Sequence, residues 1–106
     1  MTMIDAEVLK IQHDTKERRF FHPQKGEGIK DAELTYELDT SGKIPIVNFV
    51  HTYVPETVQG IGLGKELVKE GISFVQANGY KMKADCPFVK SYFNEHPEYN
   101  HLHERR

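Results

Sequence analysis

Tyr53-Val54-Pro55-Glu56-Thr57-Val58-Gln59-Gly60-Ile61-Gly62-Leu63-Gly64-Lys65 is the stretch whose reading decides the fold. Before it the chain alternates apolar and polar residues up to Val54, and Pro55 stops that run. After it a helical pattern begins, so the glycines at 60, 62 and 64 lie between a strand and a helix. Glycine permits positive φ and lets a ligand approach the backbone without meeting a Cβ. The first amides of a helix have no partner within it. With the positive end of the helix dipole they form a site for phosphate oxygens. The stretch therefore reads as a pyrophosphate cradle.

Spacing narrows which cradle this is. A Walker loop requires G-x-x-x-x-G-K-[ST]. Ending it at Gly64-Lys65 puts Gln59 at the first glycine position and Glu66 where a hydroxyl must bind magnesium. A dinucleotide fingerprint, G-x-G-x-x-G, started at Gly60 puts Lys65 at its third glycine. Q-x-x-G-x-G, from Gln59 to Gly64, does fit. It resembles the acetyl-CoA-binding motif of the GNAT N-acetyltransferase superfamily, [QR]-x-x-G-x-[GA].

Working outward, residues 63–77 carry Leu63, Leu67, Val68, Ile72 and Val75 at helical spacing, with Gly71 on the same stripe. Asn78-Gly79 supplies a stop. Residues 80–84 read as a short strand, parallel to 44–54 through a right-handed crossover. Pro87 suits the first turn of a second helix, with Asp85 or Cys86 at its cap and Phe88, Val89, Tyr92 and Phe93 on its apolar face. The tail from His96 reads as polar and irregular. Upstream, residues 32–38 alternate, with Leu34, Tyr36 and Leu38 on one face, as a half-buried strand does. Asp39-Thr40-Ser41-Gly42 is a turn, so 32–38 and 44–54 form a hairpin whose second strand begins near an edge because of Pro45. Residues 19–22 read as a strand ended by Pro23, 24–30 as a loop, 16–19 as a charged turn and 8–12 as a loose strand.

Composition sets the class. The chain has 106 residues, 38% hydrophobic and 28% charged, which suits one folded domain spanning 1–106. A net charge of −2 with a pI near 6.3 argues against a nucleic-acid surface. No apolar run approaches the ~20 residues of a membrane span. The first residues show neither a basic region nor an apolar core, so no secretory signal is expected and a cytoplasmic location is the default. Cys86 is the only cysteine, which rules out an intrachain disulfide.

The order of elements, antiparallel strands followed by β-α-β-α around a mixed sheet, matches the GNAT core: an α+β or α/β fold. The stretch 51–99 resembles one subgroup more closely, the minimal single-domain GNAT-like proteins. Their motifs read here as His51-Thr52-Tyr53-Val54-Pro55, Gln59 to Gly64, Cys86-Pro87-Phe88-Val89, Tyr92, and His96-Pro97-Glu98-Tyr99. The chain is too short for the helix pair that larger GNAT enzymes place between their first two strands, where acceptor contacts usually sit.

The resemblance implies acetyl-CoA as cofactor and a primary amine, small molecule or protein, as acceptor. It implies that amides of Gln59, Gly60, Ile61, Gly62, Leu63, Gly64 and Lys65 face the pyrophosphate and that the Val54 end of the strand pairs with pantetheine. In the resembling proteins the counterpart of Cys86 lies close to the thioester, where it either accepts the acetyl group or lines the acyl pocket. Its position at a helix N-terminus suits a thiolate. His51, on the strand beside the cofactor edge, can act as a general base. Tyr92 sits on the helix whose tyrosine protonates the leaving thiolate in many GNAT enzymes; packing is its other role. His96, His101 and His103 lack helix-paired spacing and a second cysteine, so no metal is expected. An acyl-CoA-binding module without turnover is the alternative to the enzyme, and a plain interaction domain is a third reading.

Overall fold

Alternation of Ala32, Leu34 and Tyr36 with Glu33, Thr35 and Glu37 requires an extended segment with one buried face. In the computed structural model, which describes residues 10–104, that segment is strand β3, Ala32–Asp39, with Ala32, Leu34 and Tyr36 buried. It stands in the middle of a five-stranded sheet whose order follows the chain. β1 (Gln12–Asp14), β2 (Arg19–His22), β3 and β4 (Ile46–Tyr53) are antiparallel neighbours, and β5 (Lys81–Ala84) is parallel to β4. The mixed sheet and element order are those expected from the sequence. The strand expected at 8–12 falls partly on positions outside the described residues; β1 begins only at Gln12.

Between β4 and β5 runs α1, Leu63–Asn78, which buries Leu63, Leu67, Val68, Gly71, Ile72 and Val75. Gly71 lets it lie close to the sheet, because a Cβ there would be 2.7 Å from Cε1 of Phe49. Gly79 ends the helix in the left-handed region, φ 68°, donating to the carbonyls of Val75 and Gln76. After β5, Cys86 caps α2 (Pro87–Glu95), with Pro87 in the first turn as expected.

The tail is not irregular, which corrects the sequence reading. Pro97–Leu102 form a 3-10 helix, and Leu102 is buried in the core. The ring of His103 meets that of Phe93 edge-on at 4.5 Å, and His103 pairs in parallel with Met82. Scattered contacts hold this segment, among them Leu102 in the core, Tyr99 against it, the His103 ring and hydrogen bonds to Lys81 and Met82, and they leave no periodic pattern.

One irregularity decides which face the site residues take. The β3–β4 register passes from Thr35↔His51 to Tyr36↔Phe49, leaving Val50 as the extra residue of a bulge. Residues opposite one another in a ladder share a face. Phe49 thus lies with Tyr36, and Thr52 with Leu34, on the α1 face. His51 and Tyr53 lie with Thr35 and Glu33 on the other. In a regular strand Phe49 and His51 would share a face.

Candidate functional site

β4 and β5 pair only from Ile46↔Lys81 to Phe49↔Ala84. There the amides of Asp85 and Cys86 both donate to the Phe49 carbonyl, at 3.0 and 3.1 Å, and the chain turns into α2. β4 continues to Tyr53 without a β5 neighbour. A wedge is left between this free strand edge and the start of α2, and α1 begins at its mouth. A cavity of about 580 Å³ occupies it. Thr52 and Val54 line it from β4, Phe88 from α2, and Val58 through Lys65, Ile61 excepted, from the turn and first residues of α1.

The turn is built for an open backbone. Gly60 and Gly62 have φ of 92° and 87°, a region costly for any residue with a Cβ. A Cβ at either would meet nothing within 4 Å, so the space beside them is free. Gly62 caps α1 without a side-chain hydrogen bond, and the first intrahelical bond runs from the Glu66 amide to the Gly62 carbonyl, 3.1 Å. The amides of Leu63, Gly64 and Lys65 therefore have no partner inside the helix. Gly64 serves helix packing instead. A Cβ there would lie 2.9 Å from Cζ of Phe88, so its bareness lets α1 and α2 meet. The Gln59 side-chain amide donates to the Val54 carbonyl at 3.0 Å and ties the turn to the strand end. Ile61 points away, 45% exposed, and does not line the cavity.

At the inner end, Oγ1 of Thr52 lies 3.3 Å from Sγ of Cys86. Thr52 borders the cavity, and Cys86 sits buried behind it. Tyr92 is buried and does not line the cavity; its ring is stacked on His96 with centroids 4.0 Å apart. His96 Nδ1 in turn contacts Glu98 Oε2 at 3.1 Å. Burial raises the Tyr92 pKa, and Tyr99, Glu98 and Glu66 push the same way, so its phenol holds its proton more tightly than usual.

His51 is not in this cavity. The bulge sends it to the other sheet face, into a second cavity of about 440 Å³ with Arg19, Lys30, Asp31, Glu33 and Tyr53. There burial opposes the Arg19 charge, but hydrogen bonds to Glu33 and Asp31 outweigh it and raise its pKa. The structure thus brings Val54, Gln59, Gly60, Gly62, Leu63, Gly64 and Lys65 together, places Cys86 beside them and separates His51. Sequence reasoning missed Thr52, Val58 and Phe88. Phe88 stands next to Pro87 on an apolar pattern, yet it is 43% exposed and forms a cavity wall, not core.

A glycine turn at a helix start beside two diverging parallel strands has a counterpart among known proteins. The sequence profile of the GCN5-related N-acetyl-transferase matches residues 19–102. The chain belongs to the GCN5-related N-acetyltransferase family. It is 34% identical to Protein NATD1 of Gallus gallus over 90 residues, covering 84% of this chain and 77% of that one. With Protein NATD1 of Homo sapiens the identity is 33%, covering 84% and 75%. The solution structure of a GCN5-like protein from Staphylococcus aureus superimposes with a TM-score of 0.68 at 26% identity, over 92% of this chain and 90% of that one. A ribosomal-protein-alanine N-acetyltransferase from Brucella melitensis shares the fold alone, with a TM-score of 0.50 at 12% identity, over 83% of this chain and 62% of that one. In this GCN5-related N-acetyltransferase domain only a short turn joins β1 to β2, with Asp14 Oδ1 accepting from the amides of Lys16 and Glu17. Among the described residues no helix is long and apolar enough to cross a membrane, and no group of three or more His, Cys, Asp or Glu is arranged to hold a metal ion.

Proposed function

We propose that this protein binds acetyl-CoA in the larger cavity and transfers its acetyl group to a primary amine. One observation carries the reading: unpartnered helix amides and glycines with open space beside them stand at the mouth of a wedge whose inner end holds a thiol and a hydroxyl. The residues fit the cofactor. Amides of Leu63, Gly64 and Lys65, with the α1 dipole, suit the pyrophosphate, and the Lys65 side chain adds charge. The free β4 edge past Phe49 offers backbone groups to pantetheine. Acetyl-CoA supplies an activated thioester, and the cradle supplies orientation. Tyr92, on α2, is the proposed proton donor to the departing sulfur.

The lining of the larger cavity contains no carboxylate or imidazole to take a proton from an amine. That favours a second reading, an acyl-CoA-binding module that senses or presents CoA without turnover. Two measurements separate the possibilities. Thermal unfolding with acetyl-CoA, CoA, ATP and NAD should show a rise for the two CoA species alone, since a ligand of the native state raises its stability. Acetyl-CoA consumption with a panel of amines then distinguishes enzyme from module. No stabilisation by either CoA species removes both readings.

A further inference from the structure

The smaller cavity lies on the sheet face away from α1, and the cradle uses none of its residues. We propose that it is the acceptor site and that the acceptor is a small primary amine, held as its ammonium by Asp31 and Glu33 and deprotonated by His51. The proposal rests on the acetyl-transfer reading above.

At about 440 Å³ the cavity falls in the range of small-molecule sites, ~300–1,000 Å³. Strands supply Arg19, Glu33, His51 and Tyr53 of its lining, and Lys30 and Asp31 come from the residues just before β3. Arg19 on β2 reaches Asp31 through Nη2, 3.1 Å, and Glu33 on β3 through Nη1, 2.9 Å. Its guanidinium also lies 4.2 Å over the ring of Phe21. One guanidinium thus faces two carboxylates, and the clamp keeps a net negative charge. The other oxygen of each carboxylate, Oδ1 of Asp31 and Oε2 of Glu33, makes no hydrogen bond among the described residues. Those oxygens suit an ammonium group. Lys30, exposed at the rim, brings a second positive charge, so the negative excess belongs to the Arg19–Asp31–Glu33 cluster and the formal charges of the whole lining cancel.

His51 completes the arrangement. Its ring makes no hydrogen bond among the described residues, so a ring nitrogen is available to accept a proton. It is the chain neighbour of Thr52, which borders the other cavity, and consecutive Cα atoms are only ~3.8 Å apart. Past Phe49 the β4 edge has no β5 neighbour, and in this proposal an amine in the smaller cavity meets the thioester around that free edge. The bulge at Val50 therefore places the base opposite the cofactor, not beside it. The ammonium gives one proton to His51 and becomes a neutral nucleophile. Its nitrogen bonds the acetyl carbon, the carbon–sulfur bond breaks, the departing sulfur takes a proton from Tyr92, and the second nitrogen proton restores the Tyr92 phenol.

The test is a nuclear magnetic resonance titration of isotope-labelled protein saturated with CoA. The probes are butylamine, 1,4-diaminobutane and phenethylamine, each paired with its alcohol counterpart. The expected result is perturbation of the Glu33, His51 and Tyr53 amides by at least one amine, with affinity at least ~10-fold above the matching alcohol. Asp31→Asn and Glu33→Gln should erase that preference and keep CoA affinity. Equal response to amine and alcohol, perturbation confined to the larger cavity, or no response to any amine overturns the proposal without need of a variant. Failure of the acetyl-transfer reading shows separately, as CoA leaving the amides of residues 60–65 unmoved, and it would remove the acceptor assignment with it.

Discussion

Thr52 Oγ1 and Cys86 Sγ lie 3.3 Å apart although 34 residues separate them in the chain. The first comes from the free edge of β4, the second from the cap of α2. Their contact closes the wedge at the point where an acyl group carried by the cradle would arrive. It puts a hydroxyl within reach of a thiol at the cap of α2.

If Cys86 is a nucleophile, acetyl-CoA alone will acetylate it. The Cys86 sulfur bonds the acetyl carbon, and CoA departs as the free thiol with the proton Cys86 gives up. Intact mass should then show one added acetyl group, mapped to Cys86. Cys86→Ser and Cys86→Ala should keep CoA affinity and lose transfer. Thr52→Val should slow loading by ~10-fold, the worth of one hydrogen bond to a charged group. Parental transfer rates in both Cys86 variants would instead show direct attack of the amine on the thioester.

Gly62→Val should weaken acetyl-CoA binding more than ~10-fold, because φ of 87° disfavours a branched residue and the new side chain enters the open space of the cradle. Calorimetry on the folded variant checks it. Unchanged affinity would move the cradle elsewhere.

Gly64→Ala should behave differently from Gly62→Val. Its methyl meets Phe88, so Phe88→Ala should restore part of what it loses, a coupling visible in a double-mutant cycle. Additive losses would mean that the two residues do not meet.

The α1 face should be costly to alter. Ile72→Ala removes a fully buried side chain and should cost ~2–5 kcal/mol. Gly71→Ala pushes a methyl to 2.7 Å from Phe49 and should cost ~1–3 kcal/mol by overpacking. Urea unfolding measures both; a loss well under ~1 kcal/mol at Ile72 would show that this face is not core.

Stability should fall on mild acidification. Burial lowers the pKa of His13, with Asp14 opposing it, and burial alone lowers that of His103. His13 stacks on Phe20 and meets the Tyr36 hydroxyl at 2.7 Å, a packed setting in which a charged imidazole loses its water. Below the ordinary value of 6.5 the unfolded chain binds protons that the folded one refuses, so stability is full above that pH and declines beneath it until the folded pKa values are passed. Thermal midpoints between pH 7.5 and pH 5 test the sign, and midpoints that rise on acidification would contradict it.

Local pattern alone carried the strands at 19–22 and 32–38, the helix from Leu63, its stop at Gly79 and the cap before Pro87. Each depends on periodicity or on backbone preferences of residues adjacent in the chain. The glycine spacing carried the turn before α1 for the same reason, since positive φ and bare helix amides are local properties. Three matters required the fold. The tail packs through Leu102 and a bridge to Met82, contacts that no local pattern encodes. Gly64 is bare for Phe88, a neighbour from another helix. His51 turns away from the cradle because β4 bulges at Val50 against β3, and one extra residue in a ladder exchanges the faces of everything beyond it. The residue types of this site are therefore legible in the chain, but the face each one takes is set by pairing between strands.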